Sequence, residues 1–242
     1  MKVIIGAGNT RFDGWVSTQE NELNLLERKT FESMFKDEKP TAFLAEHVWE
    51  HMTLEDGLIA AKNCYDFLAE GFEETEAITP IDMLRRCGKE VLTVGVTGKV
   101  VRGSHNIPVE CDITIDEADV GGLEMIVLPG GMPGTKNLAA SKKLAQIIAY
   151  CTNNKIFMGA ICAAPSVLGS IGVLNGKKVV CYPGFESALT GAKVLRVPAV
   201  RDGNIITARG AGAALEFSYE LISALIGVNA AEKLAGDIIW KK

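Results

Sequence analysis

The sequence lacks the marks of several broad protein classes. No stretch among its 242 residues reaches the roughly 18 uninterrupted apolar residues of a membrane span. The N-terminus, Met-Lys-Val-Ile-Ile-Gly, turns polar after three apolar residues, which does not read as a signal peptide. An excess of basic residues is missing too. The 25 Lys and Arg against 30 Asp and Glu leave a net charge of −5 with the signs interspersed, which argues against a nucleic-acid surface. Six cysteines, at 64, 87, 111, 151, 162 and 181, form no C-x-x-C pair, the pattern of reduced thiols in a cytoplasmic protein rather than of a disulfide framework. What is present is ordinary for a folded chain: 48% apolar and 23% charged residues exclude disorder. At about 150 residues per domain, the length corresponds to roughly one and a half domains.

The composition changes near residue 64. Residues 1–64 carry 7 Lys and Arg against 11 Asp and Glu, and only 4 of the 25 glycines. They also hold Trp15, Trp49, His47 and His51. Residues 65–242 are nearly neutral and glycine-rich, and no low-complexity linker separates the two stretches. The chain therefore divides into 1–64 and 65–242.

The longer segment alternates short apolar runs with helical periodicities. Glu74–Cys87 has helical spacing closed by Gly88. Strands are predicted at 90–96, 105–115, 124–128, 155–160 and 178–181, and Asp202-Gly203 joins two more, 199–201 and 204–207, into a hairpin. Helices are predicted at 138–152, 163–171, 213–226 and 230–238. Strands separated by helices imply an α/β fold with a mostly parallel sheet covered by helices on both faces, and such sheets place ligands beyond the carboxyl ends of their strands.

Three features fall at those ends. In Phe157–Pro165 a strand stops, Cys162 follows, and a helix begins at once. A thiol on such a turn meets the amide N–H groups and the positive end of the helix, which favour thiolate and predict a lowered pKa. In Leu128-Pro129-Gly130-Gly131, two glycines after a buried strand expose amides able to stabilise an oxyanion facing Cys162. The acidic run Glu70, Glu73, Glu74, Glu76 opens the first helix, where acidic residues also suit the helix dipole. Singly each has a bland explanation: a buried small residue, a turn, solvated first-turn glutamates. Their joint appearance in this order is more specific.

The motifs AEGFEETEAITPIDMLRRCG, VLPGGMPGTKNL, GAICAAPSVL and ITARGAGAALEF together resemble the ThiJ/PfpI superfamily, in the branch of the Parkinson-disease-associated deglycase and its bacterial relatives, over residues 65–242. The resemblance implies a flavodoxin-like sheet of the class I glutamine amidotransferase kind and a homodimer. It implies an enzyme needing no cofactor or metal, a glyoxalase or deglycase acting on methylglyoxal, other small reactive aldehydes or glycated amines and thiols. Residue by residue, it makes Cys162 the nucleophile and Glu76 its carboxyl partner. Gly130, Gly131 and the amide of Ala163 become oxyanion-binding groups, with Arg209 and Gly210 lining the same region. Protease-like members carry histidine where this chain has Ala163, and others supply one near Tyr182, so a Cys-His peptidase is poorly supported and Glu76 is left as the proton shuttle. The alternative within the same resemblance is a redox sensor or chaperone in which Cys162 is oxidised without turnover.

The amino-terminal segment carries weaker signals. Gly6-x-Gly8 follows a short apolar run, but Arg11 stands where a dinucleotide fingerprint needs its third glycine. His47-Val-Trp-Glu-His51 fits H-x-x-E-H, a zinc-peptidase pattern, without the third ligand. Together GAGNTRFDGWVST and AEHVWEHM resemble the start of a class I S-adenosylmethionine-dependent methyltransferase, with Glu20 the nearest acidic candidate for the cofactor ribose. That resemblance stops about a third of the way through such a fold, giving a partial α/β extension. At the join, Asp66 interrupts a strand that should be buried on both faces. Facing inward without a partner, it would cost on the order of a few kcal/mol.

Overall fold

The computed structural model describes residues 2–5, 15–17 and 42–45, as backbone strands, and residues 64–240. The chain forms two compact units, Met1–Ala61 and Lys62–Lys242. In the first, strands β1 (Lys2–Ile5), β2 (Trp15–Ser17) and β3 (Ala42–Ala45) form a parallel sheet in the order β2-β1-β3. The glycine loop at Gly6 and Gly8, Glu20, and the His47–His51 stretch lie outside the described residues.

In the second unit the elements run β4 (Cys64–Leu68), α1 (Glu74–Arg86), β5 (Val91–Gly95), β6 (Val100–Arg102), β7 (Pro108–Glu110), β8 (Ile113–Thr114), β9 (Met125–Leu128), α2 (Gly134–Ala140), α3 (Lys142–Asn154) and β10 (Phe157–Ile161). They continue with α4 (Pro165–Ser170), β11 (Lys178–Val179), β12 (Lys193–Val194), β13 (Ala199–Asp202), β14 (Ile205–Ala208), α5 (Ala214–Leu225) and α6 (Val228–Asp237). Seven strands make one sheet in the order β13-β14-β10-β9-β4-β5-β8. All its pairings are parallel except the expected β13–β14 hairpin, whose turn is Gly203-Asn204 rather than Asp202-Gly203, because Asp202 pairs with Ile205 as the last residue of β13.

The central strands are short apolar runs because helices cover both faces. β4, β5, β9 and β14 are buried at every residue. One face packs Cys64, Met125, Val127, Ile206 and Ala208 against Ile81 and Leu84 of α1, Phe217 and Leu221 of α5, and Leu234 of α6. Gly159 of β10 is needed there, since a Cβ would lie 2.8 Å from Leu221 Cδ2 and 3.0 Å from Phe217 Cζ. Asp66 belongs to that same face by strand alternation with Cys64 and Leu68, and it is wholly buried.

Three predicted elements differ. The strand expected over 105–115 is two short strands, β7, which pairs with β6, and β8, which joins the main sheet beside β5. The helix expected over 138–152 is two helices, because Ser141 adopts an extended backbone and its hydroxyl accepts the Leu144 N–H at 3.2 Å, capping α3. The helix expected directly after Cys162 begins only at Pro165.

Candidate functional site

The loops leaving β4, β9, β10 and β14 meet at one end of the sheet. Cys162 follows β10 with φ 64°, a left-handed conformation rarely taken by a residue with a Cβ. Its N–H donates to Ala208 O at 2.9 Å and its carbonyl accepts from Tyr182 N–H at 2.8 Å, so neighbouring segments hold the strained turn from both sides. The thiol is half-buried and hydrogen-bonded to the Glu76 carboxyl, and the backbone N–H groups of Gly131 and Ala163 face the sulfur.

Glu76 comes from the first turn of α1 and is 1% exposed. Its position follows from the local chain. Glu73 caps the helix, its carboxylate accepting the Glu76 N–H at 2.7 Å, and Glu73 N–H donates to Gly130 O at 2.9 Å. That tie sets α1 against the turn after β9. Gly130 N–H donates to Glu76 Oε2 at 3.0 Å, and the Ala211 N–H also reaches this carboxylate. The two glycines, grouped together by the resemblance, thus have separate partners: Gly131 faces the sulfur and Gly130 holds the carboxyl. Gly131 has φ 91°, and a Cβ there would lie 2.4 Å from Glu73 N.

Burial, against the hydrogen bonds from the Cys162 thiol, Gly130 and Ala211, raises Glu76 to about 7. Burial and the facing Glu76 charge push the Cys162 thiol up to about 12. The sequence-based expectation of a lowered thiol pKa treated Cys162 alone and placed a helix start beside it. The helix begins three residues later, and a carboxylate sits opposite the sulfur. The two groups therefore titrate as a pair that gives up one proton near neutrality and the second only far above it. Between those steps the pair carries a single negative charge and one proton, shared between sulfur and oxygen. The Gly131 and Ala163 amides favour its thiolate form.

An open cleft of about 600 Å3 adjoins the pair, lined by Tyr182, Pro198, Arg209, Gly210, Ala211 and Glu216 among others. A Cβ at Gly210 would lie 3.3 Å from the Tyr182 ring and 3.9 Å from Glu76 Oε1, and the Ala211 amide that lines the cleft is hydrogen-bonded to the Glu76 carboxyl. Arg209 and Gly210 are thus brought to the site region, Arg209 as an exposed side chain at its rim. His105 lies apart: its Nδ1 is 2.8 Å from Glu74 Oε2 and its N–H donates to Glu74 Oε1 at 2.7 Å. Among the described residues Glu73, Glu74 and His105 have the residue types of a metal site, yet the Glu73 carboxylate caps α1 and Glu74 holds His105. Of the other cysteines, Cys64, Cys111, Cys151 and Cys181 are buried and Cys87 is half-buried, all as free thiols. The resemblance assigned no site role to Glu73 or Ala211. Glu73 was findable, as an acidic cap three residues before Glu76, whereas the Ala211 amide carries no sequence signal.

A model described as the DJ-1/PfpI family matches residues 62–224. The chain belongs to the DJ-1/PfpI family. The Parkinson disease protein 7 homolog of Danio rerio is 31% identical over 188 residues, covering 76% of this chain and all of that protein. A deglycase of Pyrococcus abyssi is 30% identical over 159 residues, 65% of this chain and 95% of its own. The solved structure of oxidized Toxoplasma gondii DJ-1 superposes with a TM-score of 0.72 at 31% identity, over 75% of this chain and the whole of that one. The mostly parallel sheet with flanking helices is thus the DJ-1 type of flavodoxin-like fold. Among the described residues no helix is long and apolar enough to cross a membrane.

Proposed function

We propose that residues 62–242 form a cofactor-independent glyoxalase or deglycase that acts on methylglyoxal or its adducts with amines and thiols. Cys162 is the nucleophile and Glu76 the proton shuttle. The observation that carries this reading is the hydrogen-bonded Cys162–Glu76 pair, with the Gly131 and Ala163 amides facing the sulfur. The thiolate adds to the aldehyde carbon, forming a C–S bond, and the carbonyl oxygen takes the proton held by Glu76. Glu76, now a carboxylate, removes the proton from that carbon and returns it to the adjacent carbon, while the hydroxyl proton passes from the first oxygen to the ketone oxygen, so that the ketone becomes a secondary alcohol and the first carbon a thioester carbonyl. One carbon is oxidised to the thioester level and its neighbour reduced, so no external oxidant is needed. Water then cleaves the thioester, releasing a 2-hydroxy acid and the thiol. The Gly131 and Ala163 amides stabilise the oxyanions of addition and hydrolysis. Arg209 and Gly210 line the entry for the larger part of an adduct.

Lactate formation from methylglyoxal, measured for the wild type, Cys162→Ala and Glu76→Gln, tests the proposal. Both variants should lose at least 10³-fold in kcat/KM, and wild-type rates from Cys162→Ala would sink it. The half-exposed sulfur beside a carboxyl also supports a redox-sensing reading, and a relative has been solved in oxidized form. A gain of two oxygens confined to Cys162 after mild peroxide, without lactate formation, would favour that reading instead. Homodimerisation and a cytoplasmic location belong to the same proposal and rest on family resemblance; sedimentation of the full chain tests the dimer.

A further inference from the structure

Asp66 occupies the middle of the central strand β4, between Thr93 of β5 and Val127 of β9, and it is wholly buried. Neither carboxyl oxygen has a hydrogen-bond partner among the described residues. The donors nearest at hand are committed elsewhere. Thr93, its cross-strand neighbour, donates its hydroxyl to Asp112 Oδ2 at 2.8 Å and accepts the Asp112 N–H at 2.8 Å. Arg85 of α1, the cation that acts on Asp66, gives its Nη2 to Val91 O at 2.7 Å and to Asp112 Oδ2 at 3.0 Å. Asp112 thus takes both donors. Among the described residues Asp66 in turn acts on two thiols, Cys64 on its own strand and Cys111 between β7 and β8, each pushed up to about 12 by burial and so neutral. Asp112 pairs with the Arg85 guanidinium at 3.0 Å, and Glu90 also feels its charge.

We propose that Asp66 is a proton-linked latch: the 62–242 unit folds with a neutral carboxylic acid at the centre of its sheet, and loss of that proton loosens the packing of α1 on β4. An ionised carboxylate there would have no hydrogen bond and no ion pair, and such a group neutralises rather than remain charged. In the unfolded chain the same side chain ionises above about pH 4. Folding above that pH therefore takes up one proton at Asp66, and stability falls as pH rises, by about tenfold in the folding constant per pH unit, until the buried acid itself ionises. The acid is separate from the Cys162–Glu76 pair, and the inference does not depend on what that pair does.

The test is amide hydrogen exchange of β5 and β9 in the full chain, wild type against Asp66→Asn, at pH 5, 6, 7 and 8. Comparison at each pH cancels the intrinsic exchange rates and the contributions of Glu76 and Glu90. Opening of the wild type should exceed that of the variant by a ratio that rises about tenfold per pH unit from pH 5. A ratio constant from pH 5 to pH 8 overturns the proposal. As a second measurement, the infrared difference between wild type and Asp66→Asn at pH 7 should contain one protonated-carboxyl band belonging to Asp66, and a carboxylate band in its place overturns it as well.

Discussion

Gly130→Ala tests whether the site depends on the close approach of its two reacting side chains. A Cβ at Gly130 would lie 2.6 Å from Cys162 Cβ, 2.6 Å from Glu76 Oε2 and 3.0 Å from Ile161 O. Ordinary carbon contacts fall at about 3.5–4.0 Å, so something must move by about 1 Å. Cys162 is poorly placed to yield, because its backbone at φ 64° is bonded to Ala208 and Tyr182. The strain falls instead on Glu76, whose carboxyl is held by the N–H of the substituted residue. Overpacking of this kind costs about 1–3 kcal/mol of stability. Displacing a reacting group by about 1 Å costs roughly 10²-fold in rate. The assays are kcat/KM for methylglyoxal, the pH profile of iodoacetamide alkylation at Cys162, and the urea midpoint. Gly236→Ala is the control, since its Cβ would meet nothing within 4 Å and it lies inside α6; it should gain about 0.5–1 kcal/mol. A Gly130→Ala protein with wild-type turnover and an unchanged alkylation profile would refute the placement of Glu76 against the thiol.

Two further outcomes follow from the titrating groups. Glu76→Gln should remove the alkylation step near pH 7 and lower the upper one, because the charge that opposes thiolate formation is gone while burial remains. In wild type the folded Glu76 stays protonated from its ordinary 4.5 up to about 7, so stability declines across that window and then levels off. Urea unfolding should therefore show Glu76→Gln gaining up to about 3 kcal/mol on the wild type between pH 4.5 and 7, and equal pH dependence in the two proteins would contradict this. His105 is raised by its hydrogen bond to and charge attraction for Glu74, while the Glu74 carboxyl, despite burial, is lowered by its hydrogen bonds with His105. The stabilisation from this pair is full between the ordinary carboxylate and histidine values, is lost as pH rises through the raised His105 value, and is lost again in acid as Glu74 takes up its proton. An NMR titration of His105 should give a midpoint above 6.5 that falls in Glu74→Gln.

The sequence made the inner sheet legible because β9, β10 and β14 are apolar runs, β9 and β14 beside glycine or proline turns, a pattern set by burial on both faces. It also pointed to Asp66 as an apolar position filled by a carboxyl. It did not reveal β6 or β12, strands of three and two residues, too short to show an alternating pattern of their own. Apolar periodicity runs unbroken through Ser141, so the break between α2 and α3 is carried by one hydroxyl. At the site, motif spacing places Cys162, Glu76 and the glycines near one another. The state of the thiol was not legible, since it depends on burial and on a carboxyl 86 residues earlier in the chain. The separate tasks of Gly130 and Gly131 turn on which way two adjacent amides point, which no side chain records.

Glu76 and Asp66 are both acids with almost no exposure, and their difference lies in donors rather than burial. Gly130 and Ala211 give Glu76 two backbone N–H bonds, and Cys162 faces it, so its first ionisation lies near neutrality and its charge can pass to sulfur. Asp66 has burial without donors, and its carboxyl is useful to the fold only while neutral. The two should therefore separate under substitution. Asp66→Asn should change how stability varies with pH and leave the alkylation profile of Cys162 as it is. Glu76→Gln should change both. If Asp66→Asn moved the Cys162 profile by a full pH unit, the two acids would be one electrostatic system, and the assignment of charge sharing to Glu76 alone would fail.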